Sequence, residues 1–282
     1  MGLLTPHRAG LPHLPPLWRR RGCKLAERIR TTAEIDVWGT ILFIDVASTK
    51  VGLDELNAGL AEVTEYVRVI DREFSTFKAD SQVSQIRRGE LKIEDASPQM
   101  QEVWQLCLIA RELTEGSFDP WCVKGGYDPS GYVKGWAADR CARILKRHGA
   151  ENIQINAAGD LALVGGVGDG EPWSIGVRSP ENRFEVLKVF AIFEGAIATS
   201  GTYEIGAHIK DPHTGLIAIG ARSATVIGPD GGLADALATA LVVTGRDGAG
   251  IFMKPELSDY KVWVIDRNED TAWTIGELPP EV

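Results

Sequence analysis

The early part of the chain is patterned mainly for helices. Between residues 53 and 74, apolar positions recur at alternating gaps of three and four, which predicts one face of a long amphipathic helix. Those positions are Leu53, Leu56, Leu60, Val63, Val67, Ile70 and Phe74. Further helices are predicted at about 100–114 and from Gly135 to His148, where Gly149 is a suitable C-terminal cap. Ahead of them, "EIDVWGTILFIDVA" predicts a pair of strands.

Beyond residue 150 the pattern changes to short strands separated by glycine and proline. The predicted strands are "NIQINAAG", "DLALVG", "WSIGV", "VFAIFEGAIATS", "ARSATVIG" and "KVWVIDR", with one more helix at "LADALATALVVTG". Helices grouped early and strands grouped later indicate an α+β fold and not a repeated βαβ winding. With no linker or repeat visible, we expect a single domain over 34–282, with antiparallel or mixed sheets packed against helices.

Charge divides the chain into two parts. Residues 1–33 contain seven Lys/Arg and one acid, a net +6, and are predicted to be a flexible basic segment. The remainder has 23 basic and 38 acidic residues, a net −15, which argues against a nucleic-acid partner. No apolar run reaches the ~18 residues of a membrane span. The N-terminus lacks the order of a signal peptide, and Cys23 lacks the context of a lipid anchor, so we expect a cytoplasmic protein.

Two glycine-rich motifs are excluded as nucleotide-binding loops. "GGVGDG" at 165–170 lacks the GxGxxG spacing and leads into Glu-Pro-Trp, so it is interpreted as a hairpin turn. "GYDPSG" at 126–131 continues with Tyr-Val where a Walker loop needs Lys-Ser/Thr. The four cysteines show no zinc spacing and are interpreted as structural thiols.

Four polar stretches are candidates for chemistry, and each has a structural alternative. The first is "DREFSTFKADSQVSQI". It is either the end of one helix followed by an Asp-Ser cap of the next turn, or a loop that places Phe77 against a planar ligand. "GSFDPWCVKGGYDPSGYVKGWAADR" has two Asp-Pro turns before a glycine-rich helix entry at Lys134-Gly135, which suits an anion but is also common before helices.

The other two stretches carry candidate ligand and base groups. Asp235 and Thr239 are four residues apart on one helix face and offer hard oxygen ligands for Mg²⁺; alternatively Asp235 caps the helix and Thr239 bonds back to a carbonyl. In "ATSGTYEIGAHIKDPHTG", His208 follows a run of hydroxyls, whereas His213 lies in the turn itself and is expected to be merely exposed.

These stretches occur together in the order seen in a known family. The chain resembles the FAD:protein FMN transferases, the ApbE-like flavin transferases, over about 35–245. The motifs that carry the resemblance are "WGT", "DREFSTFKADSQVSQI", "GSFDP", "DPSGYVKGWAADR", "INAAGDL", "ATSGTYE", "HIKDPHTG", "SATVIGP" and "ADALATAL".

The resemblance implies an α+β enzyme that binds FAD with Mg²⁺, transfers FMN to a Thr or Ser hydroxyl of an acceptor flavoprotein and releases AMP. It implies His208 as the catalytic residue. It implies metal ligation by Asp235, Thr239 and the carbonyl of Gly131. The FAD contacts that it implies are Trp38, Phe77, Ser117, Phe118, Asp119, Asp128, Lys134 and Ile209.

The chain departs from the family pattern at three places. Trp38 stands where Met is common before Gly-Thr, Ala158 replaces the first glycine of a common Gly-Gly-Asp, and the segment between "GSFDP" and "DPSGYVKG" is short. Two alternatives remain open: a FAD pyrophosphatase that gives FMN and AMP, and a non-catalytic flavin-binding protein.

Overall fold

An antiparallel sheet of eight strands forms the centre of the molecule. In this computed structural model, residues 27–182, 184–201, 209–267 and 271–282 are described. The strand order is β1-β2-β3-β4-β7-β8-β9-β10, and every neighbouring pair is antiparallel. The strands are β1 (Ile29–Val37), β2 (Thr40–Ser48), β3 (Asn152–Ala157), β4 (Asp160–Val164), β7 (Gly195–Gly201), β8 (Ala221–Gly228), β9 (Lys261–Asp266) and β10 (Ala272–Ile275).

A separate two-stranded ribbon, β5 (Trp173–Arg178) and β6 (Val186–Ile192), packs on one face of this sheet. Trp173, Phe190 and Trp263 belong to the apolar layer between ribbon and sheet. The hairpin turn predicted at 165–170 is present, since Gly168 and Glu171 form an antiparallel bridge around it. However, β4 and β5 do not pair, and the turn carries the chain from one sheet to the other. The predicted strand "VFAIFEGAIATS" likewise divides at Phe193-Glu194 into β6 and β7.

The described residues form five α-helices: α1 (Leu53–Phe74), α2 (Gln82–Arg87), α3 (Pro98–Leu113), α4 (Ser130–Arg147) and α5 (Gly231–Thr244). Helices α1, α4 and α5 pack on the opposite face of the sheet, and α2 and α3 pack against these helices. The apolar stripe of α1 is buried as its spacing predicts, apart from the exposed Leu53 at its start. Ser97 caps α3 by accepting a hydrogen bond from the amide of Met100, with Pro98 at the first helical position. Cys107 and Cys141 are buried on α3 and α4 as free thiols, in agreement with the structural interpretation.

The sequence placed two boundaries incorrectly. Helix α4 begins at Ser130, five residues before the predicted start, because Pro129 fixes its N-terminus and Gly131 is accommodated in an irregular first turn. Strand β1 already begins at Ile29, inside the segment predicted as a flexible tail, since its alternating residues pair with β2 as far as Ser48. The rest of the predicted tail, residues 1–26, lies outside the described residues.

Helix α5 is the most apolar helix among the described residues. Together with the 3-10 turn that follows it, Gly231–Met253 is long and apolar enough to cross a membrane by length and composition alone. However, 61% of its most apolar window is buried inside the protein, as in the core helix of a soluble domain. It packs between α4 and strands β7 and β8, so its apolar surface is already covered. The α+β prediction is confirmed by this architecture.

Candidate functional site

Several turns meet at one end of the eight-stranded sheet. Leu42 of β2 faces Ala157 of β3, and Ala157 faces Asp160 of β4, so the turns at 38–39 and 158–159 lie side by side. Leu161 of β4 pairs with Ile197 of β7, so the residues of β7 after Ile197 extend to the same end. We call this the site end of the sheet. Most of the residues assigned to the site by resemblance lie on it or on the helix termini beside it.

An ion pair attaches the start of α4 to the site end. The Nζ atom of Lys134 lies 2.8 Å from Oδ2 of Asp160, the first residue of β4. The Asp160 side chain is 4% exposed and the Lys134 side chain 30%. A buried carboxylate requires such a partner, and the partially exposed ammonium still faces solvent from the same place. Asp160 belongs to the "INAAGDL" motif, but no role was predicted for it.

Residues of α4, α5 and β7 meet one turn before Lys134. A Cβ atom added to Gly131 would lie 3.5 Å from Oγ1 of Thr239, so the Gly131 backbone passes close to that hydroxyl. Ser200 Oγ lies 3.2 Å from the same Thr239 oxygen. Asp235 is 5% exposed and lies one turn earlier on α5. The structure therefore brings Gly131 and Thr239 together and adds Ser200, whose only sequence indication was the hydroxyl-rich stretch around it.

The local backbone explains why Gly131 occupies this position. Its ψ of 20°, in place of the helical value near −42°, turns its carbonyl away from the ordinary helical direction. A side chain here would press on Phe118, whose Cε2 atom would lie 3.2 Å from the added Cβ. Asp235 does not cap α5, contrary to one of its alternatives, because Asp230 accepts the hydrogen bond from the Leu233 amide.

The aspartates of the 116–130 segment have partners within the protein. Asp119 accepts hydrogen bonds from Arg111 Nε at 2.7 Å and from the Trp121 amide at 2.9 Å. Asp128 accepts from the Ser130 amide at 3.0 Å and pairs with Arg87 at 3.0 Å. These bonds order the segment in front of α4. Contact of either carboxylate with FAD stays a prediction.

The aromatic candidates differ strongly in exposure. Phe118 is 4% exposed and packs in the helical core, and Ser117 beside it is buried. Phe77 is 96% exposed on the loop between α1 and α2. Ser81 caps α2 by accepting from the Ser84 amide, as one alternative for this stretch expects. Trp38 lies in the β1–β2 turn with φ of 58°, and its ring packs between two core clusters at the site end.

The histidine stretch is only partly described. His208 lies outside the described residues. Ile209 is described and packs against the core cluster that surrounds α5. His213 is exposed in its turn, with its amide donating to Asp211, as expected. The loop docks on the segment before α4, since Cys122 Sγ donates to the Pro212 carbonyl at 3.3 Å.

Comparison with known proteins identifies the family of the chain. The model of the ApbE family matches residues 30–124 and 124–263. The FAD:protein FMN transferase of Salmonella typhimurium is 31% identical over 157 residues, which are 49% of this chain and 45% of that protein. That of Rhodobacter capsulatus is 34% identical over 129 residues, 43% of this chain and 24% of that protein. The matched stretches thus span less than half the length of these relatives.

Solved structures show the same fold. The flavin transferase ApbE from Vibrio cholerae superposes with a TM-score of 0.74 at 22% identity, covering 89% of this chain and 97% of that one. The ApbE protein from Thermotoga maritima gives a TM-score of 0.73 at 24% identity, covering 84% and 94%. Since the family model spans most of its length, the chain belongs to the ApbE family.

Proposed function

We propose that this protein is a Mg²⁺-dependent FAD:protein FMN transferase. It would cleave the pyrophosphate of FAD, attach FMN to a Thr or Ser hydroxyl of an acceptor flavoprotein and release AMP. Its relatives from Salmonella and Rhodobacter are named for FMN transfer from FAD to protein. The observation that carries the proposal is the convergence of Gly131, Thr239 and Ser200 beside the Lys134–Asp160 pair.

The residues at this point fit a hard divalent cation. A carboxylate, a hydroxyl and a carbonyl oxygen are the donor types that Mg²⁺ prefers, and they would come from Asp235, Thr239 and Gly131. Among the described residues, no three His, Cys, Asp or Glu side chains form a ligand cluster. A single carboxylate suits Mg²⁺, which is usually held by one or two carboxylates together with substrate phosphates. When bound, the ion would supply charge neutralisation for the diphosphate.

The protein's own groups would bind and orient the diphosphate. Lys134 presents its ammonium beside the first turn of α4, where the helix amides also favour an anion. These donors matter because the chain has a net charge of −9, which repels an anion. Asp160 keeps the ammonium at the site end, so the charge is positioned before FAD arrives.

His208 would accept the proton of the acceptor hydroxyl. The acceptor hydroxyl oxygen would form a bond to the phosphorus of the FMN half. The bond from this phosphorus to the bridging oxygen would break, and AMP would leave with the bridging oxygen. An imidazole with an ordinary pKa near ~6.5 is a suitable base at neutral pH. Replacing His208 with Ala should therefore lower kcat more than FAD affinity, and an equal loss of both would indicate a structural role.

Two other activities remain candidates at the same site. With water as acceptor, the protein would hydrolyse FAD to FMN and AMP. Without chemistry, it would be a flavin-binding protein, for which the oxygen cluster on α5 would have no use.

The test is incubation of the purified protein with FAD, Mg²⁺ and a Thr-containing acceptor peptide, followed by mass spectrometry. The proposal predicts a peptide that gains one FMN, with equimolar AMP, and no gain when the peptide Thr is replaced by Val or when Mg²⁺ is chelated. Free FMN without labelled peptide would indicate the hydrolase, and unchanged FAD would indicate binding alone.

A further inference from the structure

Helices α4 and α5 cross with their backbones in contact. A Cβ atom on Gly135 would lie 2.2 Å from the carbonyl oxygen of Gly231 and 2.9 Å from the amide nitrogen of Gly232. In return, a Cβ atom on Gly231 would lie 2.8 Å from the carbonyl oxygen of Gly135. No side chain fits between the two helices here, so their separation is set by backbone atoms.

A hydrogen bond fixes the crossing one turn farther along α4. Oδ2 of Asp139 accepts from the amide of Gly231, the first residue of α5, at 2.7 Å. Helix α5 already has its own cap in Asp230, which accepts from the Leu233 amide at 2.7 Å. Two carboxylates, one from each helix, therefore meet at the start of α5. This arrangement is unfavourable for ionised Asp139: burial, and to a smaller extent the charge of Asp230, raise its pKa to about 7, although the hydrogen bond from the Gly231 amide lowers it.

The same two helices also carry Gly131 and Thr239, which meet at the proposed cation site. Gly131 is one turn before Gly135 on α4 and meets Thr239 of α5, while Asp139 meets Gly231 at the other end of the interface. The two helices are thus antiparallel, and a change at either contact alters the distance between Gly131 and the α5 ligands.

We propose that Asp139 is a positioning residue that fixes α5 against α4 through the Gly231 amide and thereby sets the spacing of the proposed cation ligands, Gly131, Asp235 and Thr239. The inference rests on the proposed function, since it concerns the cation of that site. Asp139 itself touches neither the cation nor FAD; its effect reaches the site through the helix pair. Loss of a contact that orients metal ligands commonly lowers metal affinity by about 10–100-fold.

The experiment measures Mn²⁺ binding to the FAD-loaded protein by electron paramagnetic resonance, with no acceptor present. Asp139→Ala should raise the Mn²⁺ Kd about tenfold. Asp139→Asn should stay near the wild type, because its amide oxygen still accepts from Gly231. Asp230→Ala is the matched control: it also removes a carboxylate cap from α5 but leaves the bond between the helices, and should leave Kd nearly unchanged. FAD affinity without metal, from flavin fluorescence, should be the same in all four proteins.

The outcomes separate this inference from the proposed function. If the wild type binds no Mn²⁺, the cation site itself is wrong. If the wild type binds Mn²⁺ and Asp139→Ala binds it equally well, or Asp230→Ala loses as much, the positioning role is wrong and the site stands. Gly135→Ala is a second test that keeps both carboxylates, because its Cβ would force the two helices apart. If this variant folds and its Mn²⁺ Kd is unchanged, the inference is overturned, even if Asp139→Ala does not fold.

Discussion

The ammonium of Lys134 lies 2.8 Å from the Asp160 carboxylate, and this pair joins the first turns of α4 to the start of β4. The pair is asymmetric, since Asp160 is nearly enclosed while Lys134 keeps part of its surface in solvent. Asp160 therefore depends on Lys134 more than Lys134 depends on Asp160, because an unpaired buried carboxylate is costly. The same lysine is the group that the proposed function assigns to the diphosphate.

This asymmetry predicts a non-additive effect on stability. Lys134→Met should lower the free energy of unfolding by about 1–3 kcal/mol, because it leaves Asp160 buried without its cation. The double variant Lys134→Met/Asp160→Asn should recover much of that loss, as measured by urea unfolding at pH 7. Lys146→Met is the control: Lys146 is also on α4, but its ion pair with Glu194 is exposed, so its loss should change the free energy of unfolding little. A double variant as unstable as the single one would contradict the assigned dependence.

Asp235→Asn should remove metal-dependent turnover without unfolding the protein. The side chain is buried on α5 one turn from Thr239, and asparagine keeps its volume while removing its charge. We expect at least a tenfold loss of FMN transfer and a higher Mg²⁺ requirement, since a metal ligand is lost. Asp247→Asn makes the same charge change at an exposed position and is the control. Full activity of Asp235→Asn would exclude it from the site.

Phe77 and Phe118, the two phenylalanines assigned to FAD by resemblance, should separate stability from binding. Phe118→Ala should destabilise the protein by about 3–5 kcal/mol, because the ring is buried in the helical core. Phe77→Ala should leave the melting temperature nearly unchanged, because its ring is 96% exposed, and should raise the Kd for FAD. Thermal melting and flavin fluorescence on the same samples check both. Unchanged FAD affinity in Phe77→Ala would remove this ring from the flavin contacts.

A histidine outside the site predicts a pH-dependent stability. His148 follows the last residue of α4, and its two ring nitrogens lie 2.8 Å from the carboxylates of Glu55 and Glu62 on α1. These hydrogen bonds, to Glu62 first, raise the pKa of His148. Because the folded-state pKa is the higher one, this stabilisation is complete below the unfolded pKa of ~6.5 and is lost as pH rises through the folded pKa. The stability difference between wild type and His148→Gln should therefore be larger at pH 5.5 than at pH 8.5 in urea unfolding. A difference independent of pH would show that these hydrogen bonds do not involve the protonated ring.

Local pattern was sufficient for the elements whose signal is periodic. The three- and four-residue gaps of α1 located Leu53–Phe74, and the strand pair around Trp38 was found with its turn. The start of α4 was missed because Gly131 is a poor helix former, whereas packing against α5 accommodates an irregular first turn. The turn at 165–170 was found, but not that it connects two different sheets, because glycine indicates a turn without showing which strands pair.

Only some of the contacts around the candidate site could be anticipated from the sequence. Motif order selected Gly131 and Thr239, which meet in the fold, and Lys134, which pairs with Asp160. Asp160, Ser200 and Asp139 were not assigned, because their relevance comes from contacts across long sequence separations, such as the 92 residues between Asp139 and Gly231. The periodicity of a single segment cannot predict a contact between residues so far apart in sequence.

The account requires that one divalent cation be held between α4 and α5 on the FAD diphosphate. Its most direct test is anomalous diffraction from crystals grown with FAD and Mn²⁺. We expect one Mn²⁺ peak at roughly 2.1–2.3 Å from an Asp235 carboxylate oxygen, Thr239 Oγ1 and the Gly131 carbonyl oxygen, in contact with the diphosphate. A well-ordered FAD with its diphosphate away from Lys134, and no Mn²⁺ between these helices, would contradict it.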